Sequence, residues 1–90
     1  MMADHKKVAR LVSNARGQLD AVLRMIEEDR YCIDVSTQLL AAQSLIKKAN
    51  REVLKGHTEH CIRDAMHSGD DAEIEQKIGE LLECLDKMSR

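Results

Sequence analysis

The chain has 90 residues, 43% hydrophobic and 33% charged, so by composition it is neither disordered nor membrane-embedded, and it reads as one small domain over 1–90. Fourteen Lys and Arg stand against sixteen Asp and Glu, a net charge of −2. That balance excludes nucleic-acid binding by bulk charge and leaves room only for a localised basic patch. One aromatic residue (Tyr31), no proline and four glycines are too few turn formers for a β-sandwich or barrel, and an all-α fold remains.

A chain this short covers only roughly 60% of its unfolded surface, and this one lacks the aromatic side chains that bury most area apiece. Self-association is therefore expected to complete the core. No stretch has the apolar length of a signal peptide or a membrane helix, so the expectation is a cytoplasmic chain, without membrane contact, whose thiols stay reduced. Cys32, Cys61 and Cys84, an odd number and widely spaced, form no disulfide framework.

In chain order, Val8, Leu11, Val12, Ala15, Leu19, Val22, Leu23 and Ile26 recur at three- and four-residue steps, the stripe of an amphipathic helix. It should run from about Asp4, a suitable N-cap, to about Glu28, with Gly17 inside it. A second helix begins near Asp34 and carries Val35, Leu39, Ala42, Leu45, Ile46, Ala49, Val53 and Leu54. Gly56 offers a kink, but His57, Cys61 and Ala65 continue the four-residue step beyond it. Ser68-Gly69-Asp70-Asp71 is the strong breaker cluster and supplies an N-cap for a third helix, striped by Ile74, Ile78, Leu81, Leu82, Leu85 and Met88.

Chemistry concentrates at Cys32, His57 and Cys61. His57 and Cys61 are four apart, so a helix stacks them on one face. An imidazole with two thiolates is a soft donor set that suits Cu(I) or Zn(II) better than Mg(II) or Ca(II). Cys32 lies 25 residues before His57, about 37 Å along a straight helix at 1.5 Å per residue. The two cannot share an ion within one protomer. Two such helices packed antiparallel would bring Cys32 of one beside His57 and Cys61 of the other, giving two identical bridging sites per two-fold dimer.

The stretch DRYCIDVSTQLLAAQSLIKKANREVL, followed by HTEHC, resembles the copper-sensitive operon repressor family of bacterial metal- and thiol-responsive transcriptional regulators. RGQLDAVLRMIEEDRYC and GELLECLDKM extend the resemblance over nearly the whole chain, and the Cys…His-x-x-x-Cys spacing is similar to the copper-sensing branch. The resemblance implies a three-helix protomer forming an antiparallel dimer with a four-helix core, paired again into a homotetramer. It implies a trigonal Cu(I) site of Cys32 from one protomer with His57 and Cys61 from the other. Tyr31 and Glu80 match positions around the ligating histidine, where a hydrogen bond to the free ring nitrogen fixes its tautomer.

The implied function is a repressor that binds operator DNA when metal-free and releases it on taking up copper, de-repressing copper export or buffering genes. The family carries several basic residues in its first helix, and here LVSNARG contains only Arg16. Arg10, Arg16 and Gln18 on the first helix, with Lys47, Lys48 and Arg51 on the second, are the candidate DNA contacts, repeated across protomers. Readout would lean on groove shape as much as on base edges.

Three other functions compete. A thiol- or persulfide-responsive repressor would use Cys32 and Cys61 alone, a nickel or cobalt sensor would recruit more nitrogen donors, and a copper or zinc buffer would need no DNA. Cys84, on the apolar side of the third helix, reads as a buried structural thiol. Nothing in the sequence suggests an enzyme.

Overall fold

The computed structural model describes residues 1–88 and is built from three helices: α1 (His5–Glu27), α2 (Cys32–Ser68) and α3 (Asp71–Met88). No strand occurs among the described residues, and none of their helices is long and apolar enough to cross a membrane. The all-α expectation holds.

Local signals account for the helix ends. The Asp4 carboxylate accepts from the Lys6 and Lys7 amides at 3.1 and 3.2 Å and so caps α1. At its far end the Asp29 amide donates to the Ile26 carbonyl and the Arg30 amide to the Met25 carbonyl, with Asp29 in the left-handed region at φ 52°. This is a Schellman closure that uses aspartate where glycine is usual. Gly69 (φ 68°) closes α2 in the same backbone region, and the Asp70 carboxylate caps α3 through the Ala72 and Glu73 amides.

The second helix starts two residues before the expected Asp34. Tyr31 occupies its N-cap with no side-chain hydrogen bond, so the usual capping signature is missing from the sequence; Asp34 instead sits in the first turn, where it favours the helix dipole. The helix then runs unbroken through Gly56 to Ser68.

Helices α1 and α2 form an antiparallel hairpin, and α3 folds back along the C-terminal half of α2. Small side chains line the hairpin seam. Val8, Ala15 and Val22 from α1 and Ala42 and Ala49 from α2 are buried, repeating every seven residues on each helix. The seven-residue step keeps one face of each helix turned toward its neighbour. The larger apolar residues of the same stripes lie beside the seam and stay exposed: Val12 53%, Ile26 59%, Leu39 46% and Ile46 51%.

This division follows from shape. The protomer measures 59 × 27 × 12 Å, and its radius of gyration is 17.7 Å, against about 12 Å for a compact chain of this length. Two stacked helix layers need more depth, roughly 8–10 Å between axes plus a helix radius on each side. All three helices therefore lie in one layer. The surface is 6920 Å², whereas a compact monomer of this mass exposes about 5300 Å².

Two glycines behave oppositely. A Cβ at Gly56 would come within 2.5 Å of the Ala3 Cα, so glycine there lets the N-terminal segment lie against α2. A Cβ at Gly17 would meet nothing within 4 Å, so Gly17 serves no close approach within the protomer. Gly17→Ala should raise stability to chemical denaturation by up to about 1 kcal/mol through helix propensity alone. Gly56→Ala should gain none of this, because Ala3 must move; hydrogen exchange should show faster exchange at residues 2–5 in that variant only.

Candidate metal centre

The unbroken α2 fixes where each donor stands. His57 and Cys61, one turn apart, are brought together with the Cys61 Sγ 3.3 Å from His57 Nε2 and 3.8 Å from Nδ1. His57 is exposed and Cys61 half-buried. They share the wall of a cleft of about 280 Å³ between α2 and α3, completed by Leu54, Thr58, Ile62, Lys77, Glu80, Leu81, Glu83 and Cys84.

Cys32 is not part of this group. It opens α2 at the opposite end, exposed, in a shallow hollow with Ile26, Asp29, Arg30, Val35, Ser36 and Leu39. The uninterrupted helix between Cys32 and His57 keeps them about 37 Å apart. Among the described residues of a single protomer, no three His, Cys, Asp or Glu side chains converge on one point. A lone protomer thus presents two separated fragments of a donor set, one with a thiol and one with a thiol and an imidazole.

The flanking residues are distributed likewise. Tyr31 is 69% exposed beside Cys32. Glu80 sits in the His57–Cys61 cleft, where its Oε2 lies 3.7 Å from the Lys77 Nζ one turn earlier on α3. Two residues of this wall were not assigned to the metal centre from sequence. Lys77 reads as an ordinary helix charge, and Cys84 as a core thiol, although it is half-buried and faces the same cleft as His57. Only the packing of α3 on α2 reveals them.

Of the candidate DNA contacts, Arg10, Arg16, Lys47, Lys48 and Arg51 are exposed, while Gln18 is half-buried. Gln18 continues the seven-residue seam through Leu11 and Met25, which are also half-buried. Lys7 is engaged by Glu52 of α2 at 3.1 Å, tying the start of α1 to α2.

A family described as "Metal-sensitive transcriptional repressor" matches residues 4–87, and the chain belongs to that family. It is a transcriptional repressor and not an enzyme.

Among individual proteins, the chain is similar to the copper-sensing transcriptional repressor CsoR of Bacillus subtilis (strain 168), at 34% identity over 93% of this chain and 80% of that protein. It is 44% identical to the CsoR of Mycobacterium ulcerans (strain Agy99) over 76% of this chain, but spans only 59% of that protein. Two solved structures share the fold at a TM-score of 0.80. One is the nickel-responsive transcriptional regulator InrS, 30% identical, covering 98% of this chain and 96% of that one. The other is the copper-sensing repressor CsoR with Cu(I) from Geobacillus thermodenitrificans NG80-2, 27% identical, covering 94% and 85%.

Proposed function

We propose that this repressor senses Cu(I), held between two copies of the chain by Cys32 of one and His57 and Cys61 of the other, and that uptake of the ion releases operator DNA. The observation that carries the reading is the split donor set: a thiol at one end of an unbroken helix and an imidazole–thiol pair, already 3.3 Å apart, at the other. Two sulfurs and one nitrogen suit a soft monovalent ion. The similarity to copper-sensing CsoR repressors supports copper, and InrS keeps nickel as the second reading.

Symmetry of the sequence about one residue supports the assembly. Leu39 and Val53 lie seven residues either side of Ile46, and the points midway between Cys32 and either His57 or Cys61 fall within two residues of it. An antiparallel pairing of α2 with its copy about Ile46 would set Ile46 against itself, Leu39 against Val53, and Cys32 against the His57–Cys61 pair. The same pairing covers the exposed face that Val12, Leu19, Leu23 and Ile26 of α1 extend. It makes a four-helix core from two single layers, and a second pairing of dimers gives the homotetramer.

In this reading the three ligands bring the two ends of α2 from different protomers into one rigid group, and Tyr31 and Glu80 stand beside it to orient the imidazole. Arg10, Arg16, Lys47, Lys48 and Arg51 supply the phosphate contacts, with Gln18 held in the seam as a lesser contributor. Repetition over the assembly compensates for the sparse charge of each copy. Coupling is reciprocal, so DNA must weaken Cu(I) uptake by the factor with which Cu(I) weakens DNA binding. The regulated genes would serve copper export or buffering, and the setting is the cytoplasm.

Anaerobic titration of the protein–DNA complex with Cu(I), followed by fluorescence anisotropy, should release DNA at about one ion per protomer, as two bridging sites per dimer require. His57→Ala should keep DNA binding and lose the response. Release by persulfide alone, unaffected by His57→Ala, would replace this reading with thiol sensing; a preference for Ni(II) would replace it with nickel sensing.

A mixing experiment tests the bridging itself. Homodimers of Cys32→Ala and of Cys61→Ala should each take up no tightly held Cu(I). Co-refolded heterodimers of the two variants should recover one site per dimer, because one of the two bridging sets is then intact. Failure of the mixture to recover any site would overturn the bridging reading.

A further inference from the structure

The cleft that holds His57 and Cys61 contains a cation for which neither the donor set nor the DNA contacts have a use. Lys77 reaches into it from α3 with its side chain only 31% exposed, and its Nζ lies 3.7 Å from the Glu80 Oε2. Among the described residues Glu80 is thus paired with Lys77, and the His57 ring is paired with the Cys61 thiol.

We propose that Lys77 is a positioning residue that detains Glu80 in the metal-free protein, so that the contact of Glu80 with a loaded imidazole, already part of the proposed function, forms only as the Lys77–Glu80 pair is given up. The proposal rests on the reading of His57 and Cys61 as metal ligands and adds how that site is held off and released.

The chemistry is a competition for one carboxylate. The free His57 ring lies against its near hydrogen-bond partner, the Cys61 sulfur, which is 3.3 Å from Nε2 and 3.8 Å from Nδ1. A ligating histidine is neutral, with one nitrogen on the ion, and its other nitrogen becomes an N–H donor that is normally met by a carboxylate, carbonyl or water. Glu80 lines the same cleft, so a change of side-chain rotamer is the movement needed.

Lys77 sits one turn earlier on the same helix as Glu80, and helical spacing of three keeps the two side chains adjacent. The pair is half-exposed, and ion pairs of this kind are weak. That weakness suits a detent, because a stronger pair would keep Glu80 from the imidazole altogether. Breaking the pair is therefore a small, fixed cost of loading. Removing Lys77 removes the cost.

The test compares full-length wild type with Lys77→Met, Lys77→Arg, Glu80→Gln and the Lys77→Met/Glu80→Gln double variant. Cu(I) affinity is measured anaerobically by competition with bathocuproine disulfonate, with circular dichroism as the check on folding. Lys77→Met should bind Cu(I) about two- to fivefold more tightly than wild type, the factor that corresponds to a half-exposed ion pair. Lys77→Arg, which keeps the charge, should stay near wild type. In the Glu80→Gln background Lys77→Met should change nothing.

The Lys77 15Nζ resonance of wild type should also shift on adding Cu(I), and stay unmoved in Glu80→Gln. A Lys77→Met variant that binds no more tightly, or more weakly as it would if the ammonium chiefly steadied the Cys61 thiolate, overturns the proposal. So does a gain that persists without Glu80. His57→Ala separates the two levels. If it still takes up Cu(I) like wild type, the ligand reading falls and this proposal with it. If it loses Cu(I) while Lys77→Met is flat, only the role of Lys77 falls.

Discussion

A single layer of helices has no inside. Every helix here has neighbours at most to its left and right, so only residues at the seams can be covered, and the fully covered ones are alanines and valines because close helix approach favours small side chains. Among the described residues no large side chain is fully buried, while Leu19, Leu23, Leu40, Ile46 and Leu82 remain between 42% and 61% exposed. The hydrophobic effect, which stabilises at roughly 25 cal/mol per Å² of apolar surface covered, is left largely unspent in one copy. One copy by itself leaves its apolar faces open to solvent.

The chemistry inherits the same incompleteness. One helix, unbroken from Cys32 to Ser68, sets the thiol of Cys32 at one end and the His57–Cys61 pair toward the other. A straight rod cannot bring its own ends together, so cover for the apolar face and completion of the donor set call for the same event. Membership of the metal-sensitive repressor family agrees with a protein whose assembly and ligand chemistry are linked. Under the proposed reading, an ion that joins two chains necessarily acts on their relative placement.

Much of this was legible from residue spacing. The three helices follow from the apolar steps, Asp4 and Asp70 from capping chemistry, and the impossibility of an intramolecular Cys32–His57 site from helix rise alone. Other features leave no mark in a periodicity. The sequence stripe does not tell which of its members is buried, and the small residues took the seam while Val12, Leu39 and Ile46 stayed out.

The docking of Ala3 on Gly56 is a backbone-to-backbone approach between residues far apart in the chain, so nothing in either neighbourhood announces it. Asp29 closes α1 in a conformation that glycine usually takes, and Tyr31 begins α2 without a capping side chain. Lys77 is one charge among fourteen Lys and Arg until α3 is laid against α2. Gln18, polar by type, turns out to serve the hairpin seam more than the outer surface.

The support along α2 is uneven. The N-terminal segment touches α2 at Gly56, where Ala3 lies against it, and among the described residues α1 packs on α2 and not on α3. Residues 57–68 overhang this brace like a cantilever, stiffened by α3 alone. His57 is the first residue past the fulcrum. By leverage, a tilt imposed there would be largest at the far end of the overhang and would act on α3 before it acts on the hairpin.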